Sequence, residues 1–147
     1  MTAEEARAWA FSEEGVRRGR AYMQAPRQVE NRLSLLYARA DALREGRARV
    51  GAGRTREEEM LCVEQETEEA LRLLSAMRRE RDALLDAMAD REVSRALKMY
   101  YLEGVSAVAA ARRMYVDERS FFRRLHRGCG MAALALALGC TDGKKMV

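Results

Sequence analysis

One proline, Pro26, interrupts 147 residues. Proline breaks helices because it lacks the backbone donor and clashes with the preceding turn, so nearly the whole chain is free to be helical. Alanine, leucine, arginine and glutamate dominate the sequence, and all four favour helix. No segment shows the apolar–polar alternation that a half-buried strand requires. The expected fold class is all-α. Hydrophobic residues make up 48% of the chain and charged residues 34%, which suits amphipathic helices and is too apolar for a wholly disordered chain.

The apolar pattern locates the helices. Thr2, followed by Glu4 and Glu5, reads as a helix start with acids near the positive end of the dipole. Trp9 and Phe11 are expected to pack, while Gly15 and Gly19 weaken a continuous helix. From about residue 27 to residue 49, Val29, Leu33, Leu36, Ala40 and Leu43 recur in alternating steps of four and three, which makes one stripe on a helix. Glycines then punctuate the chain, and Thr55 before Glu57–Glu59 reads as an N-cap with an acidic first turn. A second helix is expected from about 56 to 88, with Leu71, Leu74, Leu85 and Met88 on its apolar face and Met60, Leu61, Met77 and Leu84 beside it. Two such helices joined by a Gly-rich link fold back as a long antiparallel hairpin. Each apolar stripe needs cover from the other helix, from a second chain, or from both.

The C-terminal third changes character. Asp90 can cap a helix through Tyr101, with Val93, Leu97 and Tyr100 or Tyr101 facing inward, and Glu103–Gly104 ends it. Ser106 caps a short alanine-rich helix, AVAAARRM. A tight turn at Tyr115–Val116 follows, and Asp117 caps the helix ERSFFRRLHRG. That succession is the helix-turn-helix pattern. Met131–Leu138 reads as a helical extension that returns to the body, and Thr141–Val147 as a flexible tail. The expected domains are residues 1–89 for the hairpin, 90–140 for the helix-turn-helix and 141–147 for the tail.

Charge singles out the last helix. Arg112, Arg113, Arg119, Arg123, Arg124 and Arg127 face only Asp117 and Glu118 in that stretch, a surplus equal to the net +4 of the whole chain. A localised basic patch points to an anionic partner, most often nucleic acid. Phe121 and Leu125 are four apart and should pack inward, leaving Arg119, Ser120, Phe122, Arg123, Arg127 and, at the edge, Arg124 outside. Arginines bind phosphates or fork onto guanine in the major groove. Ser120 and the first turn can donate to phosphate. Phe122 either touches a thymine methyl or packs on a neighbouring helix, and the base rate for aromatics favours packing. Arg112 and Arg113 touch backbone phosphate or offset the negative end of the preceding helix. His126, the only histidine, suits a phosphate or surface contact.

The stretch ALKMYYLEGVSAVAAARRMYVDERSFFRRLHRG resembles region 4 of sigma-70-type factors, above all the version in small phage- and prophage-encoded sigma-like or late-gene regulators. Tyr101–Gly104, Ser106, Asp117, Phe121 and Arg124–Arg127 carry the resemblance. It implies a transcriptional regulator that binds double-stranded DNA in the cytoplasm of a bacterial host and contacts RNA polymerase. Many of those phage proteins also carry an N-terminal coiled-coil hairpin of this length. Two departures stand out. Tyr115 occupies the turn position that usually holds glycine, and a bulky residue at positive φ costs about 1 kcal/mol or more, so a differently shaped turn is expected. Ala107, Val108 and Ala109 replace the usual acidic pair after the serine, which makes that helix more apolar.

Other classes fit less well. No catalytic triad, paired metal carboxylates or phosphate-cradling loop stands out, and GAGRT at residues 51–55 lacks the spacing and lysine of a P-loop. Neither an enzyme nor a cofactor is expected. Cys62, Cys129 and Cys140 share no metal-ligand spacing, so no metal site is expected and buried free thiols are the simpler reading. Met131–Leu138 is too short to cross a bilayer. The alternatives to a regulator are a helical interaction or scaffold protein that associates through the hairpin, with homo-oligomers as one outcome, and a DNA-packaging subunit of small-terminase type.

Overall fold

The computed structural model describes residues 2–139. The tail expected at 141–147 and Cys140 lie outside them. All regular elements among the described residues are helical: α1 (Ala3–Ala10), α2 (Glu13–Arg44), α3 (Arg56–Ala87), α4 (Arg91–Leu97) with a π-helical turn at Lys98–Leu102, α5 (Ala107–Arg113) and α6 (Glu118–Ala137). None of these helices is long and apolar enough to cross a membrane.

The contacts sort the chain into two compact units, one of Ala25–Arg78 and one combining Met1–Gln24 with Arg79–Val147. The grouping differs from the expected division at residue 89. The first helix, the start of α2 and the end of α3 pack with the C-terminal helices.

In the helix-pair unit, Leu33, Leu36, Ala40 and Leu43 of α2 are buried against Val63, Ala70 and Leu74 of α3, with Val29 and Met60 at the margins. Ion pairs Arg78–Glu30 at 2.5 Å, Arg32–Glu66 at 4.0 Å and Arg39–Glu59 at 3.3 Å run in opposite chain directions, so the two segments are antiparallel. The α2 stripe matches the expected one. On α3 the expected face needs correction, because Leu61 and Leu71 are exposed. The buried seam instead passes through Val63, Ala70 and Leu74 in steps of seven and four, with Thr67 half-buried between them. A coiled-coil seam is fixed by this spacing, and a small residue fits it where the partner backbone comes close. α2 ends at Arg44 rather than near 49, where Gly46 adopts φ +73. Cys62 is only half-buried, in contrast to the expected buried thiol.

The terminal unit is built around α6. Thr2 caps α1 in a reciprocal capping box with Glu5. Trp9 packs partly buried against a small cluster of Ala6, Ala10, Ala133 and Leu134. α2 does not begin after Pro26. It starts at Glu13 and continues through Gly15, Gly19 and the buried Pro26. Gly19 explains why a poor helix former is tolerated: an added Cβ would collide with the Cys129 carbonyl of α6. A cost of roughly 1 kcal/mol in helix propensity is offset by a backbone-to-backbone approach that no larger residue permits. Across the other side, Leu97 of α4 lies over Gly128. Residues 128–130 and 132–135 are buried in consequence. The expected extension at 131–138 is therefore the second half of one continuous 20-residue helix, about 30 Å long at the usual rise, and it forms the centre of this unit.

Candidate nucleic-acid interface

The second half of α6 is held on several sides, and the first half emerges from that anchor. Asp117, in extended conformation, accepts the Ser120 backbone N–H at 2.7 Å and starts the helix. That hydrogen bond, the Ser120 hydroxyl and the neighbouring Arg123 charge hold the Asp117 carboxyl below its ordinary range. Phe121 and Leu125 point into the core as expected, at 0% and 5% exposure. With one side so fixed, the helical period puts Arg119, Phe122, Arg123, His126 and Arg127 outside, and all five are exposed.

Arg119, Phe122, Arg123 and His126 line one shallow depression, together with Glu118. Arg127 continues the Arg119–Arg123 row by a further turn. No carboxylate among the described residues lies within ion-pair distance of Arg119, Arg123 or Arg127, whereas Arg124 is half-buried and binds Glu92 of α4 at 3.1 Å. Arg124 thus fastens α6 to α4. Ser120 is half-buried, and its backbone N–H and hydroxyl both engage the Asp117 cap, which gives it a part in starting the helix. Phe122 is 50% exposed and touches the buried Phe121 ring at a centroid distance of 6.3 Å. That ring contact lies within α6 itself, so it is not the expected packing on a neighbouring helix.

Before α6, Ser106 caps α5 by accepting the Ala109 N–H at 3.2 Å. Arg112 and Arg113 form the exposed last turn of α5. Arg113 lines a different depression, beside Arg95 and Lys98. The helix ends in a Schellman motif: Val116 N–H donates to Ala111 O at 3.0 Å and Tyr115 N–H to Arg112 O at 3.2 Å. Tyr115 takes the left-handed position that favours glycine, at φ 57, so the expectation of a differently shaped turn is overturned. Its ring is 96% exposed. The motif's two hydrogen bonds and the burial of Ala111 and Met114 against the core outweigh the steric cost.

Sequence reading did not find the side chains that flank this face from elsewhere in the chain. Arg20 and Gln24 of α2 line a cavity with Tyr100, Tyr101, Phe122 and His126. These residues are about a hundred positions apart and share no motif, so only the packing of Gly19 on α6 brings them together. The π-helical turn, closed by Glu103 N–H donating to Lys98 O at 3.0 Å, turns both consecutive tyrosines toward that cavity. Tyr101 reaches the Cys129 sulfur at 3.7 Å. Burial pushes up both the Tyr101 hydroxyl and the Cys129 thiol, against the opposing pull of the Arg20 charge. Nowhere among the described residues do three His, Cys, Asp or Glu side chains gather as a metal site would need.

Comparison with protein-family models, curated proteins and solved structures finds no match to this chain. The functional reading therefore rests on the geometry of its own residues.

Proposed function

We propose that the chain binds duplex DNA, with α5, the turn at Met114–Val116 and α6 acting as a helix-turn-helix and α6 as the recognition helix. The observation that carries this reading is the row Arg119–Arg123–Arg127, exposed and with no carboxylate among the described residues within ion-pair distance, on a helix whose other end is locked in a core. A guanidinium with no internal partner keeps its donors for phosphate oxygens or for guanine edges. Rigid anchoring lowers the ordering cost of presenting them. Arg112 stands at the end of the preceding helix, where it can reach the DNA backbone. The likeness to sigma region 4 extends the reading to a transcriptional regulator of phage type, with RNA polymerase as a further partner.

A salt titration tests the DNA reading. Affinity for a duplex should fall steeply with salt, and Arg119→Ala, Arg123→Ala and Arg127→Ala should each reduce the slope by about one. Arg124→Ala should leave the slope unchanged, since that side chain is held by Glu92. Salt-independent binding, or equal slopes for all four variants, would overturn the assignment. A second reading, a helical interaction protein, is favoured by the exposed Leu35, Leu61, Leu71 and Leu73 of the helix pair. Light scattering on the purified chain measures that association directly.

A further inference from the structure

The cavity of about 280 Å³ between the start of α2, the π-helical turn and α6 has a chemistry of its own. Tyr100, Tyr101 and Phe122 give it aromatic walls, and Leu125 and Cys129 close its floor. Its polar groups are Arg20, Gln24 and His126, and no carboxylate lines it. Arg20 lines the cavity and has no ion-pair partner among the described residues, so no neighbouring acid holds its guanidinium. From these features we infer that the cavity is a binding site for a small planar aromatic carboxylate, whose ring stacks among Tyr100, Tyr101 and Phe122 and whose anionic end meets Arg20.

Three considerations select this class. The volume is at the lower end for small-molecule sites, which fits one or two fused rings. A single guanidinium matches a carboxylate in a planar two-point fork, and Arg20 is the one fixed charge among the lining residues, which balances a carboxylate but not a phosphate dianion. Aromatic side chains bind a flat ring through offset or edge contacts in addition to the area that they bury. Tyr100 and Tyr101 already stand edge to face, 5.0 Å between centroids, so one face of the slot is set before any ligand enters.

Phe122 and His126 line both this cavity and the outer depression of α6. An occupant therefore touches two side chains of the face proposed to meet DNA, and the link between the two rests on the DNA reading. The cavity itself does not, and its test contains no DNA.

The full-length chain is titrated with indole-3-carboxylate and, in parallel, with the neutral indole-3-carboxamide, by calorimetry and by the ring resonances of the tyrosines. The acid should saturate with a Kd of about 1 mM or tighter, move the Tyr100 and Tyr101 signals, and bind at least about tenfold more tightly than the amide. Arg20→Gln, a change at an exposed side chain, should remove that preference. Absence of saturation by the acid, equal binding of acid and amide, or unchanged acid binding by Arg20→Gln would each overturn the site and leave the DNA reading untouched. If Arg20→Gln fails to fold, the acid–amide comparison on the unaltered chain decides alone.

Discussion

The two units solve the same problem, burying helix faces, with different residues. The helix pair uses leucines and valines in a repeating seam, flanked by ion pairs. The terminal unit uses glycine and alanine to bring α1, α2 and α4 against one central helix, and it places its large side chains, Phe121, Met23, Leu97 and Met88, in the spaces that remain. A seam of branched side chains has many neighbours that share each contact. A backbone approach at one glycine has no substitute. The terminal unit should therefore be the less tolerant of small changes, and the helix pair should fail only when charge is forced into its seam.

Variants can break that contrast. The largest effect is expected from Leu33→Asp combined with Leu74→Asp, since both positions are buried in the helix pair and an unpaired buried carboxylate costs several kcal/mol. Helicity should fall sharply, with proteolysis between residues 25 and 78, while Trp9 fluorescence in the terminal unit changes little. Loss of the Trp9 signal in step with helicity would show that the units fold as one. Next comes Gly19→Ala. Overpacking costs about 1–3 kcal/mol, and a collision with backbone puts this site at the upper end, above the roughly 1 kcal/mol that alanine adds as a helix former. The thermal midpoint should drop, and a rise would remove the close approach of α2 to α6 from the account.

A smaller change of opposite sign is expected at the turn. Tyr115→Gly relieves left-handed strain at an exposed side chain, so stability should rise by up to about 1 kcal/mol. An unchanged or lower midpoint would mean that the ring has a structural contact. Last, Asp117 and Glu59 compare the units by pH and salt. Both carboxyls lie below their ordinary range. At Glu59, desolvation works against the shift, and Arg39, the Gly51 backbone and Arg54 together overcome it. At Asp117, the Ser120 backbone N–H leads. A carboxyl lowered by folding stabilises above its unfolded pKa, and that contribution fades as pH falls through the folded value. The midpoint gap between wild type and Asp117→Ala should therefore be present at neutral pH and close below about pH 3.8, the ordinary Asp value. Added salt should shrink the corresponding Glu59→Gln gap more than the Asp117→Ala gap, because ion pairs are screened. Equal salt responses would contradict this division.

Legibility in the sequence follows the same contrast. The α2 stripe could be read because its leucines repeat in alternating steps. The α3 seam misled because Leu61 and Leu71 lie off it while Ala70 and Thr67 lie on or near it. The caps at Thr2, Asp90, Ser106 and Asp117 were legible, since each is a local hydrogen bond within three residues. The placement of Gly19 and Arg20 beside α6 was not, because it depends on a contact between residues far apart in the chain. The same local logic found the exposed arginines of α6 and set Arg124 at their edge, but it could not find the ion pair to Glu92, a residue 32 positions away.

The central claim is that the outer face of α6, rather than the net charge of the chain, binds DNA. The direct test compares two double charge reversals by fluorescence anisotropy on a labelled duplex: Arg119→Glu with Arg123→Glu, and Arg27→Glu with Arg72→Glu, exposed arginines of the helix pair. Both variants change the net charge equally. The first should lose about 100-fold in affinity, as expected for two reversed phosphate or base contacts, with the circular dichroism spectrum unchanged, and the second less than about threefold. Equal losses in the two variants would contradict the account.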